Sequence, residues 1–286
     1  MLIIGGPTAA GKSDAALMVA ERFGAHIVSA DAMTVYRHMD IGTAKPDAET
    51  LARIPHGCIN VRDPDEDFSV ADFVEAVEAA RREHAHVVIA GGTPFYLAAL
   101  VRPLAPLPEA DPAVRAELEL LADPHARLQQ VDPVLAERLH PNDRVRVIRA
   151  LEVFTLTGTP LSVLQKRPPA RPALPAEVVW LDRAQLRARI DRRLASMMED
   201  GYRDEVVALL QAGWGRDLKP MKSFAYRHLV AHVLDGVELS EAIRLTARDT
   251  WRLARKQRNW ARSMGWQPGT VDAVLPAAER AFSTGT

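Results

Sequence analysis

A complete phosphate-binding motif lies close to the first residue of this chain and constrains its fold more than any other feature. Residues 6–13 match the pattern G-x-x-x-x-G-K-[S/T] at every defined position. An apolar run at 2–4 precedes the motif, and apolar residues at helical spacing follow it at 16–23. This order predicts a strand, a P-loop and a helix that together bind a di- or triphosphate. The predicted binding residues are Gly6, Pro7, Thr8, Ala9, Ala10, Gly11, Lys12 and Ser13.

Short apolar runs at 27–28, 87–90 and 178–181 alternate with amphipathic segments along the chain. One of these segments begins with a capping-box pattern at Ser69 and Asp72, and Asp182 is expected to cap the helix after 178–181. Buried strands that alternate with helices predict an α/β fold, here a P-loop-type parallel sheet with flanking helices.

Two groups of prolines, at 103–112 and 168–175, divide the chain. Because proline at this density interrupts helices, we expect an inserted all-helical lobe at 109–173. Residues 1–108 and 174–286 would then form the P-loop α/β core together with the C-terminal helices.

Charge and cysteine content exclude several classes of protein. The 36 basic and 37 acidic residues give a formal net charge of −1, which excludes a strongly basic nucleic-acid binder. The single cysteine, Cys58, excludes a disulfide framework, a zinc ribbon and an iron–sulfur cluster. No apolar run approaches the ~20 residues that span a bilayer, and the P-loop begins too early to leave room for a signal peptide. We therefore expect a cytoplasmic protein that does not contact a membrane.

An acidic residue follows the apolar run at 27–28, but none follows the run at 87–90. In an ordinary P-loop NTPase an aspartate that helps to hold Mg²⁺ follows a later strand, whereas here 87–90 leads into Gly91, Gly92 and Thr93. Asp31 follows 27–28, and parallel strands place their carboxyl ends in one crevice. Asp31 is therefore a candidate metal ligand or general base, although a turn or helix-capping role would also explain it. Ser13 is the candidate Mg²⁺ ligand of the P-loop.

A basic helix is predicted at about 239–263. Between 244 and 262 it has seven basic residues and one acid, Asp249. Such a stripe suits an RNA backbone, and a solvated helix face is the alternative. The stripe comprises Arg248, Arg252, Arg255, Asn259 and Arg262, with Lys256 and Arg258 beside them.

Several sequence blocks, taken together, resemble one family. After the P-loop come 29–31 (Ser-Ala-Asp), 39–46 (Met-Asp-Ile-Gly-Thr-Ala-Lys-Pro), 68–73, 91–93, 106–108, 140–143 and 149–153. Their order and spacing resemble the tRNA dimethylallyltransferases, also called tRNA isopentenyltransferases, over nearly the whole chain. The resemblance implies transfer of a dimethylallyl group from dimethylallyl diphosphate to the exocyclic amine of the adenosine 3′ to the anticodon. It also implies that the P-loop holds the diphosphate of the prenyl donor rather than ATP.

The resemblance further implies roles for individual residues. Asp31 would be the general base, Thr8 and Arg193 would complete the catalytic set, and Mg²⁺ would be the cofactor. The partners would be the tRNA anticodon stem-loop and dimethylallyl diphosphate, bound by a monomer. The implied tRNA contacts are Asp31, Ala32, Met33, Thr34, Thr93, Arg115, Val145, Arg146, Val147, Ile148, Arg149, Lys222, Ser223, Phe224, Ala225, Tyr226 and Arg227.

Some positions depart from the family pattern, and other functions compete with this one. The departures, at Ala32, Thr34, Pro94, Lys222 and Ala225, concern RNA contacts and leave the P-loop intact. An adenylate isopentenyltransferase would act on free adenine nucleotides, and such an acceptor needs neither a helical lobe nor a basic helix. A small-molecule P-loop kinase would need the missing NTPase acid. A nucleotide-gated RNA-binding module would leave Asp31 unexplained.

Overall fold

Six parallel strands form a single sheet within residues 1–169 and 171–283, the part of the chain that the computed structural model describes. In chain order the strands are β1 (Leu2–Gly5), β2 (His26–Ala30), β3 (His56–Gly57), β4 (Val87–Gly91), β5 (Glu177–Leu181) and β6 (Pro268–Gly269). Their order across the sheet is β3-β2-β4-β1-β5-β6, and every pairing is parallel. The predicted α/β fold with a parallel sheet is confirmed.

The helices belong to two compact units. The first unit, Met1–Val101 with Leu174–Thr286, contains the sheet, and the second, Arg102–Ala173, is helical. Helices of the first unit are α1 (Lys12–Phe23), α2 (Ala48–Arg53), α3 (Val70–Glu83), α4 (Pro94–Val101), α10 (Leu186–Glu199), α11 (Tyr202–Gln211), α12 (Arg227–Asp235), α13 (Leu239–Ser263) and α14 (Val274–Ser283). Those of the second are α5 (Pro112–Glu119), α6 (Pro124–Val131), α7 (Pro133–Arg138), α8 (Arg144–Thr157) and α9 (Leu161–Leu164).

The sheet has a hydrophobic core on each face. Along β1 the side chains alternate, so Leu2 and Ile4 join a cluster with residues of α1 and α14. Ile3 joins the larger cluster on the opposite face, with residues of α3, α4 and the helices after β5. Burial on both faces explains why these strands read as continuous apolar runs.

Of three helix predictions made from sequence, the structure confirms two. Ser69 and Asp72 form the predicted capping box of α3, and α13 spans Leu239–Ser263 as predicted. The capping role predicted for Asp182 is wrong. Helix α10 begins after Gln185, which has a left-handed φ of 55°, while the carboxylate of Asp182 accepts hydrogen bonds from Arg258. An ion pair across the fold has taken the place of a local cap.

A buried carboxylate organises the helical unit. The side chain of Glu152 is fully buried and accepts hydrogen bonds from Arg115 at 2.9 Å, Arg149 at 2.6 Å and the backbone N–H of Asp111 at 2.8 Å. Burial alone would raise the pKa of Glu152, but these donors outweigh it and lower the pKa. Arg149 also donates to the carbonyl of Pro108. Two arginines implied as tRNA contacts are thus bonded inside their own unit.

Removing this charge should weaken the fold. In the Glu152→Gln variant we expect a loss of about 2–3 kcal/mol of unfolding free energy, because two arginines lose their shared counter-ion. Urea denaturation followed by circular dichroism measures the loss. The exposed Glu117 of α5 provides the matched control, Glu117→Gln, which should remain within about 0.5 kcal/mol of wild type. Equal stability of the two variants would contradict a structural role for Glu152.

Candidate active site

The P-loop forms a left-handed turn between β1 and α1. Ala9 and Gly11 have φ values of 63° and 89°, and the N–H of Ala10 donates to the carbonyl of Pro7 at 3.2 Å. Lys12 bends back over the loop, and its Nζ donates to the same carbonyl at 2.9 Å. A positive φ is unfavourable for alanine, so other contacts must hold Ala9 in this conformation.

Two helices from the C-terminal part of the chain support the P-loop. Arg189 of α10 donates from Nε to the carbonyl of Ala9 at 2.8 Å. Ala9 also packs against a small cluster of Leu186, Ile190 and Ala254, contributed by α10 and α13. The sequence analysis missed Arg189, because nothing in a local motif indicates a contact with a residue 180 positions away.

Asp31 lies beside the P-loop at the carboxyl end of the sheet. Ala30 of β2 pairs with Gly91 of β4, and Gly91 pairs in turn with Gly5 of β1, so these strands end at the same level. Asp31 lines one cavity together with Thr8, Lys12 and Ser13. Its Oδ1 also accepts a hydrogen bond from the N–H of Met33 at 2.9 Å. The side chain therefore stabilises a turn and faces the cavity at once.

The charges around this cavity influence one another. Burial lowers the pKa of Lys12 to about 8, against the opposing effect of the Asp31 carboxylate, and the positive charge of Arg193 lowers it further. Burial likewise lowers the pKa of Arg193, which Asp31 partly restores. Arg193 reaches the cavity from α10. Two buried cations with one carboxylate leave the site short of negative charge, which suits an anionic ligand.

Hydroxyl groups hold the turn that contains Asp31. Thr93 accepts a hydrogen bond from the N–H of Ala32 at 3.1 Å. Thr34 is bonded to Ser29 at 2.9 Å and donates to the carbonyl of Asp31 at 3.3 Å. Thr93 and Thr34, both implied as tRNA contacts, therefore have their hydroxyls occupied within the turn.

The loop at residues 39–46 covers one side of the cavity, which Gly42, Thr43, Ala44 and Pro46 help to line. A single carboxylate, that of Glu205 on α11, anchors this loop. It accepts hydrogen bonds from three consecutive N–H groups, those of Asp40 at 2.7 Å, Ile41 at 2.6 Å and Gly42 at 3.1 Å. It also accepts one from the hydroxyl of Tyr226 at 2.8 Å. Glu205 was not predicted from the sequence.

A lysine and a glycine fix the same loop. The Nζ of Lys45 donates to the carbonyl of Tyr36 and to Asp40 and Asn60, both at 2.7 Å, and its side chain is almost fully buried. Gly42 packs against an aromatic ring: a Cβ at this position would lie 2.2 Å from Tyr202. The specific sequence of this block is therefore required by its packing as well as by its position beside the cavity.

The segment at 222–227 contributes both cavity-lining and core residues. Phe224 and Ala225 line the cavity, whereas Tyr226 is fully buried and bonded to Glu205. In the helical unit, Val147 and Ile148 are buried in the same way. The side chains of these three buried residues serve the core, and their implied tRNA contacts stay predictions. Other implied contacts remain at least partly accessible: Met33 beside the cavity, and Ala32, Val145, Arg146 and Lys222. The hydroxyl of Ser223 is buried.

One buried acid pairs with several cations of the basic stripe. Asp249 on α13 accepts hydrogen bonds from Arg227, from His228 at 2.9 Å, from Arg248 at 2.9 Å and from Arg252 at 3.2 Å. Burial would raise the pKa of Asp249, but bonds from Arg248, His228 and Arg227 outweigh it and hold the pKa well below its usual range.

The stripe is therefore less available than its sequence suggests. Arg258 is bonded to Asp182, and Arg262 donates to Asn259 at 2.9 Å. Arg255 and Lys256 are exposed, and no ion pair is recorded for either within the described part of the chain.

Comparisons with known proteins identify the family of this chain. The family model for IPP transferases matches residues 34–264, most of the chain. The chain is 42% identical to a tRNA dimethylallyltransferase of Citrifermentans bemidjiense over 91% of this chain and 88% of that protein. It is also 42% identical to a tRNA dimethylallyltransferase of Geobacter sulfurreducens over 99% of this chain and 96% of that protein. The chain belongs to the IPP transferase family.

Solved structures of this family share the fold. A full-length tRNA isopentenylpyrophosphate transferase from Bacillus halodurans is 31% identical and superimposes with a TM-score of 0.67, covering 99% of this chain and 97% of that one. A eukaryotic dimethylallyltransferase acting on tRNA superimposes with a TM-score of 0.76 over 91% of this chain and 69% of that one. At 23% identity the second likeness concerns the fold alone.

The described residues of this IPP transferase family member lack two features. In residues 1–169 and 171–283 there is no group of three or more His, Cys, Asp and Glu side chains arranged to hold a metal ion. The same ranges contain no helix whose length and apolar character would let it cross a bilayer.

Cys58 is buried, and burial raises the pKa of its thiol to about 12, which makes it a packing residue rather than a nucleophile.

The pKa of Lys12 predicts how anion binding depends on pH. A lysine with a lowered pKa of about 8 is charged below that pH and loses its proton above it. Inorganic diphosphate should therefore bind about tenfold more weakly at pH 9 than at pH 7, relative to the Lys12→Arg variant, which keeps its charge. Isothermal titration of both proteins measures the ratio and cancels the ionisation of diphosphate itself. A ratio that is constant from pH 7 to pH 9.5 would contradict the lowered pKa.

Proposed function

We propose that this IPP transferase family member transfers a dimethylallyl group from dimethylallyl diphosphate to the N6 amine of the adenosine 3′ to the anticodon of tRNA. One observation carries the proposal: the P-loop residues Thr8, Lys12 and Ser13 line a single cavity together with Asp31. The names of the related proteins, which are tRNA dimethylallyltransferases, point the same way. β4 leads into Gly92 and Thr93 with no acid, which disfavours a kinase or NTPase.

Different residues of the cavity would bind the diphosphate and accept the proton. Thr8, Lys12 and Ser13, with Arg193, would bind the diphosphate and stabilise the charge that it gains as the bond between its oxygen and the allylic carbon breaks. A bond forms between that carbon and N6 of the adenine. Asp31 would accept the proton that N6 loses, which helps an amine whose lone pair is shared with the ring.

We propose Mg²⁺ as the cofactor. Hydroxyl and carboxylate oxygens are the ligands that Mg²⁺ prefers, and Thr8, Ser13 and Asp31 bring such oxygens to the cavity. Since the described residues contain no group of three acidic, His or Cys ligands, Ser13 together with the diphosphate oxygens would hold the ion. When bound, Mg²⁺ would neutralise part of the negative charge on the departing diphosphate.

The acceptor adenosine must leave its stack in the anticodon loop to reach Asp31. We propose that accessible basic side chains bind the flanking phosphates. Arg146 and Lys222 are mostly exposed, and each pairs with one aspartate on the surface. Such surface pairs are weak, so phosphate groups can replace the aspartates at little cost. On α13, Arg255 and Lys256 offer two further exposed cations. We further propose that the helical unit binds tRNA and that the protein acts as a monomer in the cytoplasm.

A labelled-donor assay tests this function. Purified protein is incubated with labelled dimethylallyl diphosphate and Mg²⁺, with either tRNA or AMP as the acceptor. We expect label in tRNA and none in AMP. Label in AMP alone would identify an adenylate isopentenyltransferase instead, and phosphorylation of a small molecule by ATP would identify a kinase.

Replacing the proposed base should slow turnover without impairing donor binding. In the Asp31→Asn variant an amide oxygen can still accept the hydrogen bond from Met33, so the turn is retained while the base is lost. We expect turnover to fall by ~10²–10⁴ and the donor Kd to change less than about threefold. Single-turnover kinetics and calorimetry measure the two quantities. The exposed Asp65 supplies the control, Asp65→Asn, with wild-type turnover. An Asp31→Asn enzyme of normal rate would exclude Asp31 as the base.

A further inference from the structure

A buried amide connects the two sides of the cavity. Gln257 lies on α13 with only 4% of its surface exposed. Its Oε1 accepts a hydrogen bond from the N–H of Thr8 in the P-loop at 3.0 Å, and its Nε2 donates to the carbonyl of Gly92 at 2.7 Å. One side chain thus accepts a hydrogen bond from the P-loop and donates one to the residue after β4.

The residue after Gly92 is hydrogen-bonded to the turn that contains Asp31. Gly92 is followed by Thr93, whose N–H donates to the carbonyl of Ala30 at 3.0 Å. The hydroxyl of Thr93 accepts from the N–H of Ala32 at 3.1 Å. These two bonds hold the residues on either side of Asp31. An unbroken path of hydrogen bonds and short chain segments therefore runs from Thr8 through Gln257 to the Asp31 turn.

The backbone of Gly92 packs closely against Gln257, which itself lines the cavity. A Cβ on Gly92 would lie 2.6 Å from Nε2 of Gln257 and 2.9 Å from the carbonyl oxygen of Gly6. The amide is thus enclosed between two backbone segments that both border the cavity. A glutamine suits this place because it presents one acceptor and one donor at the same end.

We propose that Gln257 is a positioning residue that sets the distance between the P-loop and the Asp31 carboxylate. It acts through Thr8 and Gly92. This role rests on the proposed function, in which the donor carbon and the proton acceptor must be correctly spaced. A shift of about 1 Å between reacting groups can cost ~10²-fold in rate.

The first test removes both hydrogen bonds. The Gln257→Leu variant has a similar side-chain volume and no polar group. With saturating donor and tRNA, we expect its single-turnover rate to fall ~10–100-fold, while the donor KM changes less than about threefold because the rest of the P-loop still meets the diphosphate. The matched control is Gln211→Leu at the exposed end of α11, which should keep the wild-type rate.

The second test uses pH to restore one bond. In the Gln257→Glu variant an ionised carboxylate still accepts from Thr8 but cannot donate to Gly92. A protonated carboxyl group can do both. We therefore expect the rate of this variant, relative to wild type at the same pH, to rise several-fold as pH falls from 8 to 5.5, whereas the relative rate of Gln257→Leu stays flat. If Gln257 served folding stability alone, the rates of both variants relative to wild type would not change with pH.

Hydrogen exchange at the P-loop provides a measurement that does not depend on turnover. Loss of the Gln257 acceptor should speed the exchange of the peptide containing Thr8 in Gln257→Leu and leave it unchanged in Gln211→Leu. Normal rates in a folded Gln257→Leu enzyme, or a flat ratio for Gln257→Glu, would overturn the positioning role. Wild-type protein that does not prenylate tRNA would overturn the proposed function instead. In that case hydrogen exchange still decides whether Gln257 supports the P-loop. Faster exchange of the Thr8 peptide in Gln257→Leu would show that it does, and unchanged exchange would show that it does not.

Discussion

The parallel pairing of β1, β2 and β4 is the constraint on which the site depends. Because these strands end at the same level, the P-loop after β1 and Asp31 after β2 are brought to one edge of the sheet. β4 lies between them and ends in glycines. A side chain at Gly91 would lie 2.2 Å from the carbonyl oxygen of Ala30. The absence of a side chain at Gly91 and Gly92, where the middle strand ends, lets the P-loop and the Asp31 turn approach each other.

Local patterns were sufficient to predict four of the six strands (β1, β2, β4 and β5), the P-loop and the long basic helix, whereas the two-residue strands β3 and β6 were missed. A P-loop is specified by eight consecutive residues, and α13 by basic residues at near-helical spacing within one segment, so each can be recognised without knowledge of the fold. Arg189, Glu205 and Gln257 act through contacts with residues more than 160 positions away. No spacing rule indicates such partners, and only the folded chain brings them together.

Charge patterns were the least reliable guide to function. Arginines at helical spacing predict a surface for RNA, yet Arg248 and Arg252 pair with the buried Asp249 and Arg258 pairs with Asp182. A buried carboxylate needs partners to offset its desolvation, and nearby arginines provide them. A lone acid within a basic stripe is therefore a sign that some of its cations are already paired inside the protein.

The three N–H groups bound by Glu205 have a consequence for how a substrate meets this cavity. With the carboxylate in place, the loop at 39–46 already has its shape before anything binds. Ligand binding then incurs little of the conformational entropy cost that ordering a flexible lid would impose. The same preformed wall limits the shapes of ligand that this side of the cavity can accommodate.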